Sequence, residues 1–155
     1  MDQNLLRSYF ATVYEVLTDS GALRLSIDGE IVKDEGGLPD LLRTRFAILT
    51  AYNPRSMLLP RRVNEGRHQV MRDLLVLGCY RVEHCVGFED EPEGVWREPA
   101  WIAHGIDREE AIHFGRTFRQ NTILYCADSR PELIVTDPTC DKVGKSYQGN
   151  WRVRS

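Results

Sequence analysis

Ala47-Ile48-Leu49-Thr50-Ala51-Tyr52-Asn53-Pro54 is an apolar, strand-like run that stops abruptly in Tyr-Asn-Pro. Pro54 has no N–H for a ladder and disfavours a helical residue before it, so the strand must end here with Asn53 exposed. A polar loop anchored on a buried strand is a common place for chemistry, but the run names no reaction.

Downstream, Val63, Arg67, Val70, Met71, Leu74, Leu75 and Leu77 recur at helical spacing, with Asn64 as the expected N-cap and Gly78 as the stop. Residues 80–88 alternate as a strand, residues 89–94 form a charged turn, and residues 96–106 alternate again, which predicts a hairpin. Asp107-Arg108-Glu109-Glu110 then reads as a capping box, with Ile106 and Ala111 as its hydrophobic staple. Ala111, Phe114, Gly115 and Phe118 mark the buried face of the helix that follows. Strands are predicted over 122–127 and 132–136, joined by the turn Asp128-Ser129-Arg130-Pro131.

Residues 46–127 therefore run strand, helix, strand, strand, helix, strand. This is the split βαβ order of a ferredoxin-like α+β sandwich, an antiparallel sheet with its helices mainly on one face. In that topology the first and last strands are antiparallel neighbours, so the end of one faces the start of the other. Asn53 and Gln120-Asn121 are thereby expected on one rim.

Upstream, Leu6, Tyr9, Val13 and Val16 predict an amphipathic helix over 4–18, which covers the same sheet face or an edge. Leu23, Leu25 and Ile27 predict a strand that turns at Asp28-Gly29. Glu35-Gly36-Gly37 reads as a break before a short helix at 38–42. Residues 1–136 are read as one α+β domain. Residues 137–155 form a tail poor in apolar side chains, flexible unless Trp151 docks on the body.

A chain of 155 residues, 42% of them hydrophobic, is sized for one core. Its formal charge of -3 argues against a non-specific nucleic-acid binder. No apolar run reaches the roughly 20 residues that cross a bilayer, and no secretory pattern opens the chain, so a cytoplasmic location is expected. Cys79, Cys85, Cys126 and Cys140 lack paired spacing and read as reduced thiols rather than a disulfide framework or a zinc site. No phosphate loop, dinucleotide fingerprint or nucleophile elbow is present, so no cofactor is predicted.

Thr50-Ala51-Tyr52-Asn53-Pro54, Asn64, Glu98-Pro99-Ala100-Trp101 and Phe118-Arg119-Gln120-Asn121 together resemble the pattern of a bacterial family, domain of unknown function 3293. The resemblance spans roughly residues 9–135, most of a single domain, and includes Tyr9, Tyr14 and Gly105-Ile106. It implies a small cytoplasmic bacterial protein without established chemistry.

Two accounts of the polar set compete. Strand-end amides commonly satisfy backbone groups in turns and caps. Alternatively, Tyr52, Asn53, Asn64, Arg67, Gln120 and Asn121 line a concave site for a small polar or anionic ligand, with Glu98 as the one evident general acid or base. Arg55, Arg61, Arg62, Arg67 and His68 crowd the start of a predicted helix, where cations are unfavourable unless an anion compensates; they either hold a phosphate or carboxylate or simply face water. A different class of function is an interaction module, in which Trp96, Trp101, Tyr80 and Phe88 present a sheet face to a second copy or another protein. Whether the protein is an enzyme is not decided by the sequence.

Overall fold

The computed structural model describes residues 3–18, 21–27, 40–89 and 96–154. In chain order the elements are α1 (Gln3–Phe10), β1 (Thr12–Thr18), β2 (Gly21–Ile27), α2 (Asp40–Arg43), β3 (Phe46–Leu49), a 3-10 turn (Pro54–Ser56), α3 (Arg61–Leu77), β4 (Arg81–Glu89), β5 (Arg97–His104), α4 (Arg108–Thr117), β6 (Thr122–Ala127), β7 (Arg130–Val135), β8 (Ser146–Gln148) and β9 (Trp151–Arg154). The result is a mixed α/β protein with one antiparallel sheet.

Strand β3 is buried at all four residues because it is sandwiched between β5 and β6, with Ile48 opposite Ile102 on one side and Leu124 on the other. The full strand order is β8-β7-β6-β3-β5-β4-β1-β2-β9. Strands β8 and β9 stand at opposite ends of this order, yet only residues 149 and 150 separate them. Three Cα steps reach at most about 11 Å, so the two edges must meet at one corner and the sheet has to curl.

Side chains alternate across each strand, so the curl divides the protein into two cores. Ala47, Leu49, Ala103, Ile123 and Tyr125 face outward and are covered by Met71 and Leu75 of α3 and by Ala111 and Phe114 of α4. Phe46, Ile48, Ala100, Ile102, Leu124 and Cys126 face inward and meet Val16, Leu25 and Ile27 from the far side of the curl. Trp151 plugs one end of this interior: it is fully buried and stacks on Phe46 at 5.9 Å with 21° between the rings. Helix α1 packs on the inner core through Leu6, Tyr9 and Phe10.

Helix α4 begins as predicted, with Asp107 Oδ1 accepting from Glu110 N at 2.8 Å. Its Gly115 has a steric purpose, since a Cβ there would stand 2.7 Å from Ile123 and 2.9 Å from Thr136.

Several expectations are corrected. The helix expected over 4–18 stops at Phe10, and residues 12–18 form β1 between β2 and β4. The β-branched and aromatic side chains of Thr12-Val13-Tyr14 and Val16 suit a paired strand, and tertiary pairing overrides the helical spacing. Helix α1 lies on the face opposite α3 and α4, not on theirs. Asn64 is no cap; it is a buried residue inside α3, whose N-cap is Pro60. The tail meets the condition set for it and is not overturned: Trp151 docks on the body, and the segment supplies β8 and β9. The turn expected at Asp28-Gly29 and the break at 35–37 lie outside the described residues, as does most of the turn at 89–94.

Candidate functional site

The curl is filled by Trp151 at one end. Toward the other end it holds a cup of about 410 Å³, with α1 and the 3-10 turn at its rim. Inward-facing positions of five strands build the wall: Tyr14 from β1, Ile48 from β3, Gly87 from β4, Glu98 and Ala100 from β5, and Leu124 from β6. Just beyond the strand ends, Thr50, Asn53, Gln120 and Asn121 complete it.

The rim assembles because β3 ends where β6 begins. Gln120 donates through Nε2 to the Tyr52 carbonyl at 3.1 Å, and Arg55 N donates to the Arg119 carbonyl at 2.9 Å. Asn53 takes the left-handed conformation, φ 43°, which asparagine tolerates better than most residues. It donates through Nδ2 to Glu98 Oε1 at 2.8 Å, and its Oδ1 accepts from Asn64 Nδ2 at 2.8 Å and Leu59 N at 3.0 Å. Its backbone N–H donates to Asn64 Oδ1 at 2.9 Å. Asn121 Nδ2 donates to the Tyr9 hydroxyl at 2.8 Å and to Ser56 Oγ at 3.0 Å. This ties α1 and the 3-10 turn to the start of β6.

Glu98 is half-buried, and burial pushes its carboxyl above the usual range while the Asn53 hydrogen bond opposes that rise. Neither Arg97 nor Arg67 pairs with it. Arg97 lies 3.7 Å from Glu15, and Arg67 donates to the carbonyls of Ala51 and Phe118 at 2.8 and 2.6 Å. Oε2 of Glu98 has no hydrogen-bond partner among the described residues, and the same holds for the Tyr14 hydroxyl. Burial raises the Tyr14 phenol strongly, so it is a neutral donor and acceptor at any ordinary pH.

Of the sequence candidates, Asn53, Glu98, Gln120 and Asn121 come together in the cup. Tyr52, Asn64 and Arg67 do not line it. Tyr52 turns to the helix-covered face, edge-on to His68 at 5.5 Å; Asn64 stands behind Asn53; and Arg67 is committed to backbone carbonyls. The arginines around the start of α3 do not converge either. Arg55 pairs with Asp137, Arg61 with Glu65, and Arg62 is exposed.

Sequence reasoning passed over Tyr9, Tyr14, Thr50, Ser56 and Trp96 as wall residues. Tyr9 and Tyr14 were within the resembling pattern, and that was the one signal available for them. Among the described residues, no group of three metal-ligating side chains converges. No helix there is long and apolar enough to cross a membrane.

The family model for Protein of unknown function (DUF3293) matches residues 49–123. This segment is shorter than the 9–135 of the sequence resemblance, but it contains Thr50, Asn53, Glu98, Gln120 and Asn121. The DUF3293 match thus covers β4 and β5 in full but only Leu49 of β3 and Thr122-Ile123 of β6, so Gly87, Glu98 and Ala100 lie inside it while Tyr9, Tyr14, Ile48 and Leu124 lie outside. No curated protein and no solved structure matches the chain.

Proposed function

We propose that the cup is the binding site for a small polar ligand and that Glu98 is the group the ligand engages. One observation carries this reading: a half-buried carboxylate on the cup wall has one oxygen fixed by Asn53 and the other without a partner among the described residues. A volume of about 410 Å³ is in the range of small-molecule pockets, and the mix of apolar wall and convergent amides and hydroxyls fits such a role. If chemistry follows binding, Glu98 is its acid or base, since a carboxyl pushed upward by burial moves toward working pH. The anionic ligand entertained from the sequence loses support, because Arg55, Arg61 and Arg67 are engaged elsewhere and Arg62 is exposed outside the cup.

Residues 46–127 read further as a ferredoxin-like unit extended by β1, β2, β7, β8 and β9. That reading is supported by the strand order β6-β3-β5-β4 and by α3 and α4 sharing one face. We also infer a cytoplasmic location, which cysteines that are all free support. A bacterial origin rests on the family resemblance.

The test compares wild type with Glu98→Gln by native mass spectrometry of metabolites retained on purification, and by thermal shift against small polar compounds. A ligand retained or stabilising in wild type and lost in the variant is expected. Equal behaviour of the two proteins would remove Glu98 from the site.

A second reading, docking of a protein partner, has a specific observation behind it. Val63, Val70, Leu74 and Leu77 form an apolar stripe along α3, with Leu77 80% exposed. This is a helix face, not the sheet face suggested by the aromatic residues. Sedimentation of wild type against Leu74→Glu/Leu77→Glu would detect self-association through it.

A further inference from the structure

We propose that the ligand class of the cup is an organic cation, an ammonium group on a compact apolar body, with Glu98 and Tyr14 receiving the charged end; this rests on the reading of the cup as a ligand site.

Charge is the first argument. Twenty described residues line the cup; Glu89 and Glu98 are acidic and none is lysine, arginine or histidine. Among the described residues an anion entering would meet carboxylates and no counter-charge, whereas a cation would supply the partner that none of them gives Glu98. A half-buried carboxylate without a cation is an unfavourable arrangement that a bound cation relieves.

Strand register is the second. Tyr14 stands opposite Gly87 on β4, and Gly87 stands opposite Glu98 on β5, so the three form one row across the inner wall. A Cβ placed at Gly87 would stand 3.4 Å from the Tyr14 ring, an ordinary contact distance, so the ring lies beside β4, the strand between its own and that of Glu98. The row presents two groups with unfilled hydrogen-bonding capacity: a carboxylate oxygen that only accepts, and a phenol that accepts and donates. Both accept from an ammonium.

The third is the apolar and aromatic remainder. Tyr9, Tyr14 and Trp96 put three aromatic side chains in the lining, a residue type that attracts cations, while Leu5, Ile48 and Leu124 suit a hydrocarbon body.

The experiment uses three probes that share one skeleton: phenethylamine, phenethyl alcohol and phenylacetate. Each is titrated into the full chain at neutral pH and followed by amide NMR shifts at Gly87 and Ala100. Wild type should bind the amine at least roughly tenfold tighter than the alcohol and show no saturable shift with the acid. In Glu98→Gln, amine and alcohol should bind equally, with the spectrum otherwise folded. In wild type, amine affinity should fall as acid protonates Glu98. Tyr14→Phe should weaken amine binding partially, without altering the pH response.

If the alcohol or the acid binds as tightly as the amine, the cup is a ligand site and the cation class is wrong. If none of the probes shifts these amides at millimolar concentration, the cup reading and this inference both fall.

Discussion

Asn53 and Glu98 are 45 residues apart in sequence and joined by a 2.8 Å hydrogen bond from side-chain amide to carboxylate. That bond is oriented from behind by Asn64, which accepts the Asn53 backbone N–H and donates to its side-chain oxygen. The cup's acidic group is therefore aimed by two asparagines, one at a strand end and one inside a helix.

Replacing Asn64 with alanine strands the Asn53 N–H in a buried setting. We expect Asn64→Ala to cost roughly 1–3 kcal/mol of unfolding free energy, measured by urea denaturation. Asn64→Asp should cost at least as much, because the acceptor for the Asn53 N–H survives but a carboxylate oxygen then faces Asn53 Oδ1 and the Leu59 carbonyl in a buried position. A near-neutral Asn64→Asp would show that the amide pair does not set the effect.

Glu98→Gln should leave the thermal midpoint unchanged or raise it. The sign follows from the direction of its shift: a carboxyl raised by burial is harder to ionise folded than unfolded, so ionisation costs stability once pH exceeds the folded value. Glutamine removes that cost and still accepts from Asn53. A large drop in midpoint at neutral pH would assign Glu98 to the fold rather than to a ligand.

His68 stacks on Trp101 at 4.2 Å, with Tyr52 and His84 edge-on, and both of its ring nitrogens are buried without partners among the described residues. Burial, with His84 nearby, pushes its pKa down to about 4. The unfolded chain therefore binds this proton first as acid is added. The folded state loses stability as pH falls from about 6.5 toward 4, by at most about 3 kcal/mol and by less to the extent that solvent reaches the ring. His68→Phe should keep the stack, flatten that acid limb and gain about 1 kcal/mol at neutral pH by removing unpartnered nitrogens. Denaturation midpoints at several pH values check both statements.

Gly115→Ala should destabilise by roughly 1–3 kcal/mol although alanine is the better helix former, because its Cβ would press on Ile123 and Thr136 of the strand layer. A stabilised Gly115→Ala protein would mean that α4 can move away from β6 at no cost.

Trp151→Ala empties the closed end of the curl, and a loss of about 3–5 kcal/mol is expected. A chain ending before β8 should lose at least as much. Because Trp96 and Trp101 also emit, the fluorescence difference between wild type and a Trp151→Phe protein during denaturation would follow the plug.

Much of the fold is legible along the chain wherever local signals and final environment agree. The 46–127 order, the Asp107 N-cap and the β6–β7 hairpin are of this kind, since periodicity and capping are properties of neighbouring residues. Residues 12–18 were misread because their apolar spacing fits a helix as well as a strand, and only pairing to both β2 and β4 selects the strand. Asn64 was misread because a cap and a buried amide look alike without the partner.

What the sequence determined by itself was the order of elements over residues 46–127 and the meeting of Asn53 with Gln120, because adjacent antiparallel strands must bring one's end to the other's start. The tertiary structure decided which face became a cup. A two-residue link between the sheet's opposite edges forces the curl, and the curl turns Tyr14, Gly87 and Glu98 inward on three neighbouring strands. Register across non-adjacent segments has no signature in local sequence, and so the acidic wall of the cup was visible only once the strands were paired.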